Sequence, residues 1–141
     1  MSAAADDALA REVRDGLVQV SFTVIALLSR VAAEHDLSLT QLRLLTVLRD
    51  REPRMAELAR HLGLEPSSAS GLIDRAVQRG LVRRDVSSDD ARAVHVGLTA
   101  AGKRVVDRLG DEVGAQIAPM TRSLTNAERK RLTALLRRVL E

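Results

Sequence analysis

The sequence predicts a mainly α-helical protein with one small β-hairpin, and two observations lead to this fold class. Apolar residues make up 45% of the 141-residue chain and aromatic residues only 1%, so the core must consist of Leu, Val, Ile and Ala, which favours packing of helix on helix. Helical periodicity also recurs on both sides of residues 81–98, the one stretch with the composition of two strands joined by turn residues. The length is that of one domain.

Residues 55–80 have the pattern of two helices joined by a tight turn. Met55 to Leu62 forms a short amphipathic helix, which Gly63 can stop in the left-handed conformation. Pro66 suits the first position of the next helix, where a missing N–H costs nothing. The core face of that helix carries Ala69, Leu72, Ile73, Ala76 and Val77. This is the helix-turn-helix pattern, although an ordinary helical hairpin has it too.

The opposite face of the second helix is small and polar at its N-terminal end. It carries Ser67, Ser68, Ser70 and Gly71, followed by Asp74 and Arg75. A helix that enters the ~12 Å major groove of DNA needs little bulk there, so we expect a recognition helix. Arg75 is the best candidate for a guanine contact. Asp74 either orients that guanidinium or is a solvated surface acid, and the sequence leaves both open.

A β-hairpin is predicted directly after this helix. Gly80 can end the helix, and the β-leaning runs 81–86 and 93–98 flank turn residues at 87–90. Arg92 lies near the tip, where it can reach a minor groove or a phosphate, the alternative being a solvated loop charge. A helix-turn-helix followed by such a hairpin is a winged helix.

A series of motifs occurs in order along residues 37–140. They are Leu37-Ser-Leu-Thr-Gln41, Glu57-Leu58-Ala59, Asp74-Arg75 with Arg79-Gly80-Leu81-Val82, Asp90-x-Arg92 with Val96-x-Leu98-Thr99-x-x-Gly102, and Leu124-Thr125-x-x-Glu128. Together they resemble the MarR family of transcriptional regulators. The resemblance implies a homodimeric winged helix-turn-helix DNA-binding protein, often a repressor released by a small molecule. It also implies that Arg92 reaches the minor groove and that Asp90 steadies the wing.

The sequence departs from the family pattern at two positions. Gly71 stands where many relatives carry a longer polar or basic side chain, and Ala76 stands where Leu is usual.

The net charge is only +3, so affinity for DNA must come from the placement of charge rather than from bulk positive potential. Further phosphate contacts are expected from a set of arginines, the alternative for each being plain surface charge: Arg54, Arg60, Arg79, Arg83 and Arg84.

The two ends of the chain predict a dimer. Residues 7–35 read as one helix of about 40 Å, and Thr99 caps a helix that Pro119 must kink or end. Capping boxes at Ser38-x-x-Gln41 and Thr125-x-x-Glu128 start the neighbouring helices. Neither end can bury its apolar stripe alone, so we expect both to interlock with a second copy about a two-fold axis. A monomer that folds these helices onto its own body is the alternative.

The expected organisation is therefore one intertwined domain per protomer with three parts. Residues 1–36 form an N-terminal dimerisation helix, residues 37–99 the winged helix-turn-helix region, and residues 100–141 the C-terminal dimerisation helices. Two recognition helices would then enter successive major grooves of a pseudo-palindromic double-stranded operator, about 34 Å apart. If a small-molecule effector binds, the resemblance places it between the terminal helices and the winged helix, against Phe22, Leu45, Gly110 and Gly114.

Other classes of function have little support in the sequence. The chain has no cysteine, which excludes disulfides, thiolate metal sites and thiol redox switches. Its three histidines stand apart from one another, so no metal site, cofactor or catalytic residue is predicted and an enzyme is not expected. The uncharged run 16–29 is shorter than the ~20 apolar residues of a membrane span, so a cytoplasmic protein is expected.

The expected function is a dimeric, sequence-specific DNA-binding regulator that represses its own or neighbouring genes until a ligand relieves it. The alternative is a winged-helix dimeric interaction module that does not read DNA specifically. The missing side chain at Gly71 and the acids Asp89 and Asp90 beside Arg92 favour that alternative.

Overall fold

The computed structural model describes residues 3–86 and 93–141, and it confirms the predicted fold class. The helices are α1 (Ala3–Glu34), α2 (Leu39–Arg49), α3 (Met55–Leu62), α4 (Pro66–Gln78), α5 (Ala100–Ile117) and α6 (Asn126–Leu140). The strands are β1 (Val82–Val86) and β2 (Val94–Leu98), and a short 3₁₀ helix spans Ala118–Thr121. The end of α5 at Ile117, two residues before Pro119, agrees with the break predicted there.

The helix ends form at the residues whose local chemistry predicts them. At the start of α2, Gln41 N–H donates to Ser38 Oγ (3.1 Å) and Ser38 N–H donates to Gln41 Oε1 (2.9 Å). Gly63 and Gly80 have φ angles of 64° and 72°, in the left-handed region that glycine adopts without a steric cost. The turn within the helix-turn-helix and the turn that ends it are therefore both fixed by local sequence.

The hairpin follows α4 and packs against the segment that precedes α3. Its strands pair antiparallel, from Val82 opposite Leu98 to Val86 opposite Val94. Val96 N–H also donates to Pro53 O (3.0 Å), which ties the hairpin to the start of the helix-turn-helix. The predicted turn at 87–90 and Arg92 lie outside the described residues.

The first turn of α5 lies against the base of the hairpin, and Gly102 permits that contact. Thr99 caps the helix by accepting from Gly102 N–H (3.0 Å), and its own hydroxyl donates to Gly80 O (2.6 Å). A Cβ atom at Gly102 would lie 1.9 Å from Leu81 O, a distance that no real side chain tolerates. The close approach of α5 to Leu81, just after α4, therefore requires glycine at this position.

The core lies in the winged-helix body, which comprises α2 to β2, and at the ends of α1 and α5 that contact it. Leu44, Leu58, Ile73 and Val96 have no exposed surface. The rest of the cluster comes from the same elements and includes Leu27, Val31, Leu42, Leu45, Leu48, Leu62, Leu72, Val82, Val106 and Leu109. This burial fixes which face of α4 turns outward.

The outer parts of the terminal helices are apolar and exposed. Within the described chain, α1 is exposed throughout residues 3–23, and α6 buries no residue. The large exposed apolar side chains there include Leu9, Val13, Leu17, Val20, Phe22, Leu135, Leu136 and Val139. By length and composition α1 as a whole is long and apolar enough to cross a membrane, although its uncharged run is short. A helix covered by another protein surface meets the same criterion.

Candidate nucleic-acid interface and adjoining cavity

The outward face of α4 presents the predicted recognition residues. Ser67, Ser68 and Arg75 are exposed, and Ser70 and Gly71 are half-buried. The opposite face sits in the core through its buried apolar side chains, which are Ala69, Leu72, Ile73 and Ala76. Pro66 occupies the first turn and the N-cap residue Glu65 makes no side-chain hydrogen bond, so the N–H groups of Ser67 and Ser68 have no partner from that cap. This end of α4 offers hydroxyl and amide donors with little side-chain bulk.

Gly71 and Arg75 lie one helical turn apart, and the guanidinium of Arg75 lies near Gly71. A Cβ atom at Gly71 would sit 3.6 Å from Arg75 Nη1, which is an ordinary van der Waals contact. Packing therefore does not require glycine there. The Arg75 side chain turns back over the N-terminal half of the helix, as long helical side chains do. Its guanidinium thus lies on the same small, polar face as the serines.

The arginines of the first strand are held by carboxylates within the chain. Arg84 donates to Asp74 Oδ1, which links β1 to the recognition helix. Asp74 therefore pairs with Arg84, and the two roles that the sequence left open for it, orienting Arg75 or being a solvated surface acid, stay predictions. Arg83 Nη2 lies 2.5 Å from Glu52 Oε1, and its Nη1 lies 2.9 Å from Asp85 Oδ2.

Arg79, a further predicted contact, has its partners within the protomer. Arg79 sits at the C-terminal cap of α4 and donates to the backbone carbonyls of His35 and Asp36. Asp90 and Arg92, predicted for the wing tip, lie outside the described residues. The structure thus groups Ser67, Ser68, Ser70, Gly71 and Arg75 on one surface and gives Arg79, Arg83 and Arg84 partners inside the protomer.

An apolar cavity of about 580 Å³ adjoins the winged-helix body between α1, α2 and α5. Its lining is Ile25, Leu28, Leu39, Leu42, Arg43, Thr46, Arg49, Val106, Leu109, Gly110, Val113 and Gly114. Gly110 and Gly114 were predicted here. Leu45 and Phe22 do not line the cavity in the protomer, because Leu45 is buried in the core on another face of α2 and Phe22 is 70% exposed on α1.

Two guanidinium groups stand at this cavity that sequence reasoning missed. Arg49 donates from Nη2 to Asp50 Oδ2 (2.9 Å), and this hydrogen bond raises the pKa of Arg49 and lowers the pKa of Asp50. Arg43 donates from Nη2 to His61 O (3.1 Å) at the end of α3. One face of α2 lines the cavity, and its residues recur at helical spacing, which could have identified that face from the sequence: Leu39, Arg43, Thr46 and Arg49. Among residues 3–86 and 93–141, no group of three or more His, Cys, Asp or Glu side chains is placed to hold a metal ion.

A polar, outward-facing second helix of a helix-turn-helix, followed by an antiparallel hairpin, defines a winged-helix protein of the DNA-binding class. Comparison with known proteins finds a family to which part of the chain is similar. A model of the MarR family matches residues 35–93. From α2 to β1, this chain is therefore similar to the MarR family of winged helix-turn-helix transcriptional regulators.

Individual relatives match at moderate identity. The HTH-type transcriptional regulator PecS of Dickeya dadantii is 28% identical over 127 residues, which cover 87% of this chain and 76% of PecS. The uncharacterized HTH-type transcriptional regulator YfiV of Bacillus subtilis is 32% identical over 71 residues, 50% of this chain but only 44% of YfiV, so this match spans less than half the length of that relative. A MarR variant from E. coli, solved in complex with operator DNA, superimposes with a TM-score of 0.72 at 26% identity, over 92% of this chain and 94% of that one.

Proposed function

We propose that this protein is a homodimeric regulator that binds a pseudo-palindromic operator in double-stranded DNA and represses its own or neighbouring genes. The observation that carries the proposal is the exposed polar face of α4, on which serine hydroxyls, helix N–H groups and Arg75 converge. These groups have the geometry to meet phosphates and base edges together. The structural similarity to an operator-bound MarR variant supports the same use of this face.

Each group on this face has a distinct role in the proposal. Ser67, Ser68 and Ser70 donate to phosphates or base edges, and the missing side chain at Gly71 lets the backbone approach the groove closely. Arg75 reads a guanine through O6 and N7. Arg92 reaches the minor groove or a phosphate and Asp90 steadies the wing. Arg83 and Arg84 are available to phosphates only by sharing guanidinium groups already paired with carboxylates.

Dimerisation is proposed from the terminal helices. A soluble chain rarely exposes a long continuous apolar stripe without a partner, and α1 and α6 both carry one. A second copy supplies the same two stripes about a two-fold axis. Residues 1–36 and 100–141 would then hold the dimer together, while residues 37–99 read the DNA. This arrangement also covers the apolar face of α1 without a membrane, consistent with a regulator that works in the cytoplasm.

A small-molecule effector is proposed for the cavity beside α2. Its volume of about 580 Å³ suits a small organic ligand, and its walls are apolar apart from Arg43, Thr46 and Arg49. The cavity lies between α5 and the winged-helix body, so a ligand there would change the position of the recognition helix relative to α5. Ligand binding and operator release are therefore expected to be coupled.

Operator binding is tested with the full chain. Fluorescence anisotropy on duplexes that tile the region upstream of its own gene, each titrated over salt, should reveal one duplex bound with a distinct optimum and a steep salt slope. A shallow, uniform response on every duplex would reject specific reading and favour the dimeric interaction module. That alternative has one structural support, since Arg79, Arg83 and Arg84 are all engaged within the protomer.

A further inference from the structure

The turn between α1 and α2 lies between the recognition helix and α5. At this turn Asp36 has a φ of 55°, a left-handed conformation that is unusual for a residue with a side chain. Leu37 N–H donates to Ala32 O (2.9 Å), which closes the end of α1. The carbonyls of His35 and Asp36 come after the last helical hydrogen bonds, so they need other donors.

Arg79 supplies those donors from the end of the recognition helix. Its Nη1 donates to Asp36 O (2.6 Å) and its Nη2 donates to His35 O (3.2 Å). One planar guanidinium thus holds two successive carbonyls, a geometry that an ammonium group cannot reproduce. The Arg79 backbone N–H donates to Arg75 O (3.1 Å), so the anchor lies one turn from the proposed base-reading side chain.

The same turn is bound to α5 on its other side. His35 Nε2 lies 2.9 Å from Glu112 Oε2 and 3.1 Å from Glu112 Oε1. The His35 side chain is only 18% exposed, so this contact is partly shielded from water. The turn is therefore joined to α4 through its main-chain carbonyls and to α5 through the imidazole of His35.

We infer that Arg79 is a positioning residue for operator binding rather than a phosphate contact. The inference rests on the proposed function, because it assigns Arg79 a task in DNA reading. Arg79 fixes the end of α4 to the α1–α2 turn. It thereby couples the position of the recognition helix to the position of the helices proposed to form the dimer. In the dimer this anchor sets the separation of the two recognition helices, and hence the half-site spacing that the protein accepts.

The test separates spacing from charge. Full-length wild type and Arg79→Met are titrated against duplexes that carry the same half-sites at centre-to-centre spacings changed in steps of one base pair, each over a range of salt. Arg79→Met should bind the preferred duplex about tenfold more weakly. Its preference among spacings should flatten, and its salt slope should stay that of wild type, because no phosphate contact is removed.

A phosphate role gives the opposite pattern. If Arg79 met a phosphate, Arg79→Met would lower the salt slope by about 0.9 per arginine, or about 1.8 per dimer, with the spacing preference intact. That result, or wild-type behaviour of the variant, would overturn the inference. Wild type that binds none of the duplexes would overturn the proposed function and the inference together.

Two more variants guard the interpretation. Arg129→Met is the matched control, because Arg129 also donates through two nitrogens to a carbonyl, Thr121 O at 3.1 and 3.3 Å, away from α4. It should keep the wild-type slope and spacing preference. If Arg79→Met does not give the wild-type circular dichroism spectrum, Arg79→Lys is used instead. It keeps the charge, so a flattened spacing preference supports positioning and an unchanged preference overturns it.

Discussion

The winged-helix body and the terminal helices contain the same kinds of apolar residues but differ in how far they bury them. In the body, Leu44, Leu58 and Ile73 are fully buried. On the terminal helices, Val13 is 55% exposed and Leu136 is 43% exposed. The difference does not lie in helical pattern, because both regions carry continuous apolar stripes. It lies in the partner, since one chain supplies the opposing surface for the body and leaves the terminal stripes uncovered.

The chain buries one core by itself, and we propose that its terminal stripes form a second one with another copy. Burial of apolar surface is the main favourable term in folding and in association alike. If a second copy covers the terminal stripes, the stability that they contribute depends on protein concentration.

Charges placed on the terminal stripes should have the largest effect. In the double variant Val13→Glu/Leu136→Glu, two carboxylates would have to enter the proposed dimer interface unpaired, which is costly. We expect a monomer in sedimentation analysis and a loss of operator affinity of about 100-fold or more, because the second half-site is no longer bound intramolecularly. Arg11→Glu, on the opposite face of α1, is the control and should remain dimeric. A double variant that stays dimeric would place the interface elsewhere.

A cavity in the body should have the next largest effect. Leu58→Ala removes a fully buried side chain from α3, and such a change costs about 2–5 kcal/mol. Leu140→Ala makes the same chemical change where the side chain is 84% exposed and should cost within about 0.5 kcal/mol. Chemical denaturation of both variants measures the contrast. Equal losses would mean that the end of α6 is buried as deeply as the body.

Much of the body could be predicted from sequence because its signals are local. Gly63, Pro66 and Gly80 each mark a boundary through their own backbone chemistry, and the structure places the boundaries there. The same holds for the capping boxes that start α2 and α6. Periodicity then identifies the buried face of α4, and with it the exposed face that carries the serines.

The partners of the arginines could not be predicted, because they come from residues distant in the chain. Arg79 is 43 positions from Asp36, and Arg83 is 31 positions from Glu52. A basic residue beside a recognition helix has the same sequence pattern whether it meets a phosphate or a carbonyl. The cavity residues show the same limit: Arg43 and Arg49 reach it only because α5 packs beside α2.

Loss of the proposed base contact should have a smaller effect than either change above. Arg75→Ala should cost about 1–3 kcal/mol of discrimination at one base pair of each half-site, since a bidentate guanine contact is worth that much. Anisotropy on duplexes with single base-pair changes measures it. Arg108→Ala, an exposed arginine on α5, is the control and should leave discrimination unchanged. A uniform loss for Arg75→Ala on every sequence would identify a phosphate contact instead.

The smallest effect is expected at the start of α6, and it depends on pH. The backbone N–H and the hydroxyl of Thr125 donate to the Glu128 carboxylate and lower its pKa below the ordinary value of 4.5. Stability from this contact is therefore fully present above about pH 4.5 and is lost as the pH falls through the lower pKa of the folded chain. Glu128→Gln, which keeps an acceptor without the charge, should melt slightly lower at neutral pH and match wild type in acid. Glu12→Gln, in the middle of α1, is the control.

This last effect also separates the two regions of the molecule. The capping contact lies within the chain, but α6 is a 15-residue helix that buries no residue in the protomer, and isolated helices of that length are marginal in water. The cap can stabilise α6 only while the helix is formed, and we expect the second copy to keep it formed. The effect of Glu128→Gln on the melting curve should thus disappear when the substitution is introduced into the Val13→Glu/Leu136→Glu variant. Thermal melts followed by circular dichroism between about pH 3 and 7 measure this, and an effect of unchanged size would show that α6 is stable without a partner.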